Sequence, residues 1–331
     1  MSKPIVGIAC HGFSSEAQIS MQSAQTVFET IAHHYAKVYY LKITNKRWTV
    51  IDRHGKEQVI PIGTFDFIDN GRKKRFSVVF NALHGSPGED GKLAATLELA
   101  GIPHTSCNSY TAGLTFNKRD CIAIARRMGI PTAVSMILDQ GETLDIVQLE
   151  KKLGYPCFVK ANRAGSSFGV YKVHNRKELE TSLPKAFSED TQLIIEKALE
   201  GREVSVGVVR INEKITVLPI TEIISQNDFF DYAAKYEGQS QEITPADLPP
   251  TWKKKVHTIA IELYDKMGLE GITRSEFIFQ NGTPHLLEIN TVPGMTPASI
   301  IPQQCQKANI SLLDLFKGLI TTALKSNTST K

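Results

Sequence analysis

Near the C-terminal end, ITRSEFIFQ (272–280) and HLLEINT (285–291) flank Asn281-Gly282, the dipeptide that most strongly marks a tight β-hairpin. No other segment constrains the chain as much, because the pleat puts residues two apart on one face. With a loop of three residues, Asn281 to Thr283, Glu276 falls opposite Glu288 and Arg274 opposite Asn290, while Phe277, Phe279, Leu287 and Ile289 face the other way. Two carboxylates across a ladder repel each other unless a cation lies between them. Carboxylate with amide oxygen is the ligand set of a hard divalent ion such as Mg2+. The same pattern also fits a solvent-facing polar edge with a salt-bridged arginine, and a one-residue change of loop spoils the register. NTVPGMTPAS follows, a Pro-Gly turn able to aim backbone N–H groups back toward the same face.

A second segment, KANRAGSSFGV (160–170), has the parts of a phosphate cradle: small residues whose backbone N–H groups approach an anion closely, and a lysine. In the familiar phosphate-binding loop a strand leads to a helix and the lysine comes last. Here Lys160 comes first and a strand follows, so a plain hairpin with a flexible turn is the competing reading. With Lys118 and the carboxylates of the last hairpin, the loop describes an ATP site built between two antiparallel sheets, since Mg2+ is commonly held by a few carboxylates plus substrate phosphates.

The rest of the chain supplies the frame. At 331 residues it exceeds one ordinary core. The first third alternates strand and helix: IVGIAC, a helix from about Glu16 to Tyr35, VYYLKI, WTVID, SVVFNAL and a helix from Lys92 to Ala100. Its strong strands end in HGFSSE (11–16) and HGSPGEDG (84–91), the position where open parallel sheets bind ligands. A second unit opens with the helix KRDCIAIARRMG and continues through the glycine/serine hairpin, the helix RKELETSLPKAF and a strand pair joined by Glu200-Gly201. A third runs from ITVLPITEI through a helix at about Thr251 to Met267 to the last hairpin. The expected division is 1–117, 118–209 and 210–325.

Composition narrows the function. A formal charge of +4 with 41% hydrophobic and 22% charged residues is that of a soluble globular protein with no strong call for nucleic acid or membrane. RKKR (72–75) reads as a solvated turn, and WKKK has no interleaved aromatics for base stacking. No apolar run reaches bilayer length and the start lacks a signal-peptide pattern. Five scattered cysteines, without metal-ligand spacing, read as reduced thiols in a cytoplasmic protein.

These blocks, HGFSSEAQIS, LHGSPGEDGKLAATLELAGIP, NKRDC, FVKANRAGSSFGV, IIEKALEGREVSV, FFDYAAKY, TRSEF and LLEINTVPGMTPASIIP, resemble the D-alanine:D-alanine ligases of the ATP-grasp superfamily over nearly the whole length. The resemblance implies a three-domain α/β and α+β architecture, with an N-terminal Rossmann-like parallel-sheet domain and two α+β domains clasping ATP. It also implies ATP-dependent joining of two D-alanines through an acyl phosphate. By resemblance, Glu276 and Glu288 share one Mg2+ (or Mn2+), and Glu288 and Asn290 hold another. Lys118, Lys160 and Ser167 meet ATP phosphates, and Glu196, Lys197, Leu199 and Glu203 frame adenine and ribose. Glu16 anchors the ammonium of the first D-alanine beside His84, Lys235 lies near the transferred group, and Ser299 receives the carboxylate of the second D-alanine. Arg274 and the Gly294 N–H stabilise the tetrahedral intermediate, and Glu16, Ser166 and Tyr236 form a hydrogen-bonded link across the site. Tyr236 favours an amine as second nucleophile, the segment from Asp228 to Glu242 is the lid over the nucleotide, and the assembly is a homodimer.

Some positions depart from the family pattern. Glu276 stands where aspartate is usual, Ala161 follows Lys160 in place of proline, Ala94 replaces a common glutamine, and HTSCN (104–108) a glycine-richer turn. Two alternatives stay open: another carboxylate ligase of the superfamily with a different second substrate, amine or hydroxy acid, and an ATP-binding regulator without catalysis.

Overall fold

The structure, a computed structural model, describes residues 4–35, 37–211, 213–225 and 240–326. Lys235, Tyr236 and most of the expected lid lie outside these residues.

A five-stranded sheet of order β4-β3-β2-β1-β7 organises the first third. β1 (Ile5–His11) lies parallel to both β2 (Lys37–Ile43) and β7 (Val78–Asn81), and β3 (Trp48–Ile51) and β4 (Glu57–Ile60) extend it antiparallel. Helix α1 (Ala17–Ile31) buries Ile19, Ala24, Val27 and Ile31 against one face, the stripe expected of a helix lying on a sheet. The other face packs over α2 (Lys92–Leu99) through Leu93 and Leu97. Because β1 and β7 are parallel neighbours, the loops after both emerge side by side. They are tied there by Phe13 N–H donating to the Ser86 carbonyl at 2.9 Å. RKKR is not a turn: it is β6 (Arg72–Arg75), paired with β5 (Asp66–Asp69) around Asn70-Gly71, where positive φ angles of 50° and 72° make the reversal. The basic run is thus one strand of an exposed ribbon whose Lys73 pairs with Asp66 at 2.8 Å.

Helices α3 (Ser109–Phe116) and α4 (Lys118–Arg127) lead to a four-stranded antiparallel sheet of order β10-β9-β11-β8. It comprises β8 (Ser135–Asp139), β9 (Cys157–Ala161), β10 (Val170–Val173) and β11 (Gln192–Lys197), and α5 (Ile146–Lys152) and α6 (Arg176–Phe187) accompany it. Asn175 caps α6 by accepting the Glu178 N–H at 3.0 Å, and Glu178 returns a bond from the His174 N–H at 2.8 Å, a reciprocal cap readable from Asn-x-x-Glu.

The strand pair expected across Glu200-Gly201 does not form. β11 stays in this sheet, whereas β12 (Arg202–Ile211) is the central strand of a separate antiparallel sheet, order β15-β14-β12-β16-β17 with β13 (Lys214–Val217) also on β12. There it joins β14 (Thr221–Ser225), β15 (Ser240–Ile243), β16 (Ile272–Gln280) and β17 (Thr283–Asn290), backed by α7 (Pro250–Lys266). Gly201 makes the crossing: a Cβ there would lie 1.8 Å from the Phe279 carbonyl oxygen.

Helices α8 (Ile300–Lys307) and α9 (Leu312–Ser326) close the chain. Phe316, Leu319 and Ile320 of α9 pack on the first sheet, with the Phe316 ring edge-on to Phe80 at 5.3 Å. The C-terminal helix therefore clamps the first unit to the third. All five cysteines are free and buried, as the sequence reading expected.

Candidate functional site

The last hairpin reaches the expected pairing by a different route. The loop has two residues, Asn281 and Gly282, since Gln280 pairs with Thr283. A bulge then restores the offset: Phe277 pairs with Leu286, yet Glu276 pairs with Glu288 and Arg274 with Asn290. The extra residue is Leu287. It does not join Phe277, Phe279 and Ile289 in the core, where Leu286 takes that position instead, and it turns toward the same cleft as the carboxylates. An inserted residue that re-aims side chains next to a site is the usual effect of a bulge.

The cleft between the two antiparallel sheets holds about 790 Å³ of empty space, part of it open to solvent. Lys118, Lys160, Ser167, Glu196, Lys197, Leu199 and Glu203 all line it, together with Glu276 and Glu288. Phe158, Ile278, Leu287, Ala133 and Val170 supply apolar walls. Such walls around a few polar groups suit a flat heterocycle, and the sequence signal for them was only the ordinary alternation of strands. Lys160 Nζ sits 2.8 Å from Glu196 Oε2. Burial opposes its charge, but Glu196, reinforced by Glu288 and Glu203, outweighs burial and holds the ammonium above its ordinary value. Lys118 reaches the cleft from the first turn of α4, its Nζ 3.5 Å from Glu288 Oε2 and donating to the Ala164 carbonyl at 2.6 Å.

One residue the sequence reading passed over fixes this loop. Asn162, fully buried, accepts the Arg119 N–H at 2.8 Å and donates to Asn117 Oδ1 and Gln192 Oε1 at 2.8 Å each, fastening α4, β9 and β11 together. Beyond it Ser166 and Ser167 take positive φ angles of 48° and 61°. This turn swings the Ser166 hydroxyl out of the cleft to donate to Glu16 Oε1 at 2.6 Å. Gly165 permits the approach, because a Cβ there would lie 2.7 Å from both Glu16 carboxylate oxygens.

Glu16 is 4% exposed and stands just ahead of α1, across from His84 and Glu89 in the second loop. The His84 Nε2 is 2.9 Å from Ser23 Oγ. Burial, with the Arg274 charge adding and the Val292 carbonyl opposing, pushes the ring down to about 4, so it is neutral at physiological pH. Burial first, then the charge of Glu16 and that of Glu288, push Glu89 up to about 8 against the N–H groups of Gly85 and Val292. Glu89 was quoted in HGSPGEDG without a role, and its signal was an acid inside a loop that the fold buries.

Arg274 stands between the two clusters. It forms an ion pair with Glu276, and its Nη1 donates to Ser205 Oγ at 3.2 Å. On its far side a groove runs past Gly294 and Ser299 along the polar face of α1. Gly294 lets the turn close on itself, since a Cβ would lie 2.7 Å from Ser299 Oγ, and that hydroxyl is 2.8 Å from Thr296 Oγ1.

Glu276, Glu288 and Asn290 fit an oxygen-coordinated divalent ion: two facing carboxylates, one amide bonded at 3.4 Å to Glu288, and Arg274 and Lys118 neutralising the pair. Among the described residues no three His, Cys, Asp or Glu side chains form a complete metal cage. The described members of the expected set therefore converge on one region, in three adjoining clusters.

Two antiparallel sheets closing on two lysines and paired carboxylates, beside a Rossmann-like sheet presenting buried Glu16, define the ATP-grasp class of nucleotide-dependent enzymes. Comparison with known proteins agrees. Residues 5–107 match the family model described as D-ala D-ala ligase N-terminus, and residues 124–321 match the D-ala D-ala ligase C-terminus. The D-alanine–D-alanine ligase of Christiangramia forsetii is 47% identical over 322 residues, covering 97% of this chain and 99% of that protein. That of Flavobacterium johnsoniae is 45% identical over 319 residues, covering 96% and 99%. Among solved structures, D-alanyl-alanine synthetase A of Vibrio cholerae superposes with a TM-score of 0.87 at 27% identity, covering 98% of this chain and 99% of that one. The Bacillus anthracis D-alanine–D-alanine ligase complexed with ATP gives 0.80 at 28%, covering 100% of each. The chain belongs to the D-alanine–D-alanine ligase family.

Proposed function

We propose that the protein joins two molecules of D-alanine into D-alanyl-D-alanine at the expense of ATP, the dipeptide serving peptidoglycan precursor synthesis. The observation that carries this reading is the Ser166–Glu16 hydrogen bond at 2.6 Å. It links the loop that lines the nucleotide cleft to a buried carboxylate on the Rossmann-like sheet, so a phosphoryl donor and an amino acid would meet beside Arg274. In this reading Lys118, Lys160 and Ser167 hold the phosphates, with adenine between Phe158, Ile278 and Leu287 and ribose against Glu203. Glu16 receives the ammonium of the first D-alanine, whose carboxylate attacks the γ-phosphorus and releases ADP. The amine of the second D-alanine, its own carboxylate bound at Ser299, then attacks the acyl carbon. The C–N bond forms, the amine loses a proton, and the C–O bond to phosphate breaks. Arg274 and the Gly294 N–H face the oxyanion of that step; fixed donors aimed at developing charge are worth about 10²–10³ in rate each. Two Mg2+ or Mn2+ ions, one between Glu276 and Glu288 and one at Glu288 and Asn290, would neutralise charge on the transferring phosphoryl group. Lys235, Tyr236 and the lid keep their roles as expectations.

The same reading assigns the enzyme to the cytoplasm as a homodimer, and among the described residues no helix is long and apolar enough to cross a membrane. A division of the ATP-grasp half near Gly201, where β11 and β12 part into separate sheets, fits better than one at 209. Neighbours also include the VanG D-Ala:D-Ser ligase of Enterococcus faecalis, TM-score 0.84 at 28% identity, covering 97% of this chain and 99% of that one. ADP release by purified protein with D-alanine alone, and with D-alanine plus D-serine or D-lactate, decides the acceptor. D-alanine alone suffices in this reading, whereas release only with a second kind of acceptor contradicts it.

A further inference from the structure

Helix α8 carries Ser299 at its N-cap and, further along, Gln304, which is fully buried. A helix lays residues three and four apart on one face, so Gln304 shares the stripe of Ile301, which with Cys305 packs into the core beneath the first sheet. An apolar side chain would suit that stripe, and a buried amide is costly unless every part of it is bonded. Every part is: Oε1 accepts the Gly207 N–H at 3.0 Å, and Nε2 donates to the Ser205 carbonyl at 2.9 Å and to Thr221 Oγ1 at 3.1 Å. These bonds fill a gap in the third sheet. One edge of β12 pairs with β14 over Glu203 to Ser205 and with β13 over Val208 to Ile211, and between the two neither strand pairs with it. There the amide takes the part of a missing strand residue, accepting from one peptide group and donating to another. Gly207 leaves room for it, since a Cβ there would lie 2.7 Å from Gln304 Oε1.

We infer, on the reading of function just given, that Gln304 is a positioning residue for the acceptor D-alanine, locking α8 and its Ser299 to the strand that steadies Arg274. Both partners of the amide on β12 adjoin that arginine. Ser205 accepts from Arg274 Nη1 through its hydroxyl at 3.2 Å and from Gln304 through its carbonyl, and Gly207 lies opposite Arg274 in the β12–β16 ladder. The peptide groups that hold α8 thus belong to the residues beside the guanidinium. Arg274 and Ser299 line one groove, so the carboxylate of the acceptor at Ser299 and the oxyanion at Arg274 are kept at a fixed separation by one amide. A hydrophobic side chain of equal length would keep the packing of α8 and lose the register between Ser299 and Arg274. The glutamine is explained by that register.

Acyl phosphate formation uses neither Ser299 nor the acceptor, so the two halves of the reaction report on Gln304 separately. Hydroxylamine, which has no carboxylate and needs no Ser299, traps the acyl phosphate as hydroxamate. Gln304→Met and wild type are compared by the D-alanine dependence of hydroxamate formation and of dipeptide formation, with ATP and Mg2+ saturating. In Gln304→Met the D-alanine concentration for half-maximal dipeptide formation should rise about tenfold or more, toward the roughly 10²-fold cost of a misplacement of about 1 Å. Hydroxamate formation and the KM for ATP should stay as in wild type. Thr221→Val, which removes a single bond to the amide, is the test should Gln304→Met fail to fold. It should raise the same concentration about twofold to tenfold, the scale of one neutral hydrogen bond. A parallel fall of hydroxamate and dipeptide marks a general loss of packing and overturns the role, as does an unchanged D-alanine dependence in either folded variant. Absence of dipeptide from wild type itself would instead refute the proposed function.

Discussion

Arg274 links the clusters at the scale of single residues, bonded to Glu276 on the side of the paired carboxylates and lining the groove with Gly294 on the other. Arg274→Ala should lower the ligation rate about 10²–10³-fold while leaving ATP affinity, read by fluorescence titration, nearly unchanged. A matching loss of ATP binding would move Arg274 into the nucleotide site. Ser166→Ala should raise the KM for the first D-alanine more than that for ATP, because its hydroxyl bonds Glu16; a defect confined to ATP would contradict this. His84 gives a pH signature. Its folded value of about 4 lies below the ordinary 6.5, so its contribution is intact above pH 6.5 and is lost as pH falls toward 4, where the unfolded chain takes a proton that the folded one refuses. That loss is about 3 kcal/mol. The Tm gap between wild type and His84→Gln should shrink over that interval; a constant gap would mean that His84 is not kept neutral. The carboxylates and lysines were legible from the sequence because charge in a strand or loop leaves few explanations. Asn162 was not, because its work is to bond groups brought from distant segments, nor was Glu89, whose burial depends on how the fold covers its loop.

Among the elements, the last hairpin shows how a correct pairing came from an incorrect loop. Asn-Gly forced the two-residue turn, which by itself would have put Glu276 out of register with Glu288, and the bulge at Leu287 cancelled the error. Burial of Leu286 ahead of the half-buried pair Leu287 and Glu288 marks the bulge, but Leu-Leu-Glu in a sequence does not say which leucine turns inward. Deleting Leu287 should straighten the strand while Glu288 stays opposite Glu276, so Mg2+-dependent ADP release should persist, weakened by the loss of one apolar wall of the cleft. Release abolished in a protein still folded by circular dichroism would contradict the role given to the pairing. The crossing from β11 to β12 was missed because Glu200-Gly201 reads as a turn whether or not the strands pair. Gly201→Ala should cost about 2 kcal/mol or more in urea unfolding, since its Cβ meets the Phe279 carbonyl, and should weaken ATP binding through Leu199 and Glu203. Unchanged stability would contradict the close approach.

Over the whole molecule, the alternating first third announced its parallel sheet, and the family blocks mark most of the contributors to the cleft. What could not be read was where the ends of the chain meet. Nothing local in LLDLFKGLITTALKS says that its apolar stripe lies on the first sheet, because an amphipathic helix records that it is covered and not by what. That clamp, with the Ser166–Glu16 bond, makes the units of the fold act on one site. The direct test is a coupled assay of ADP release with product identification by mass spectrometry, using purified protein, ATP, Mg2+ and D-alanine. One D-alanyl-D-alanine should form per ADP released; chelation of Mg2+ should abolish its formation, and Arg274→Ala should lower it about 10²–10³-fold. ATP binding without D-alanine-dependent ADP release, or ADP release without dipeptide, would contradict the account.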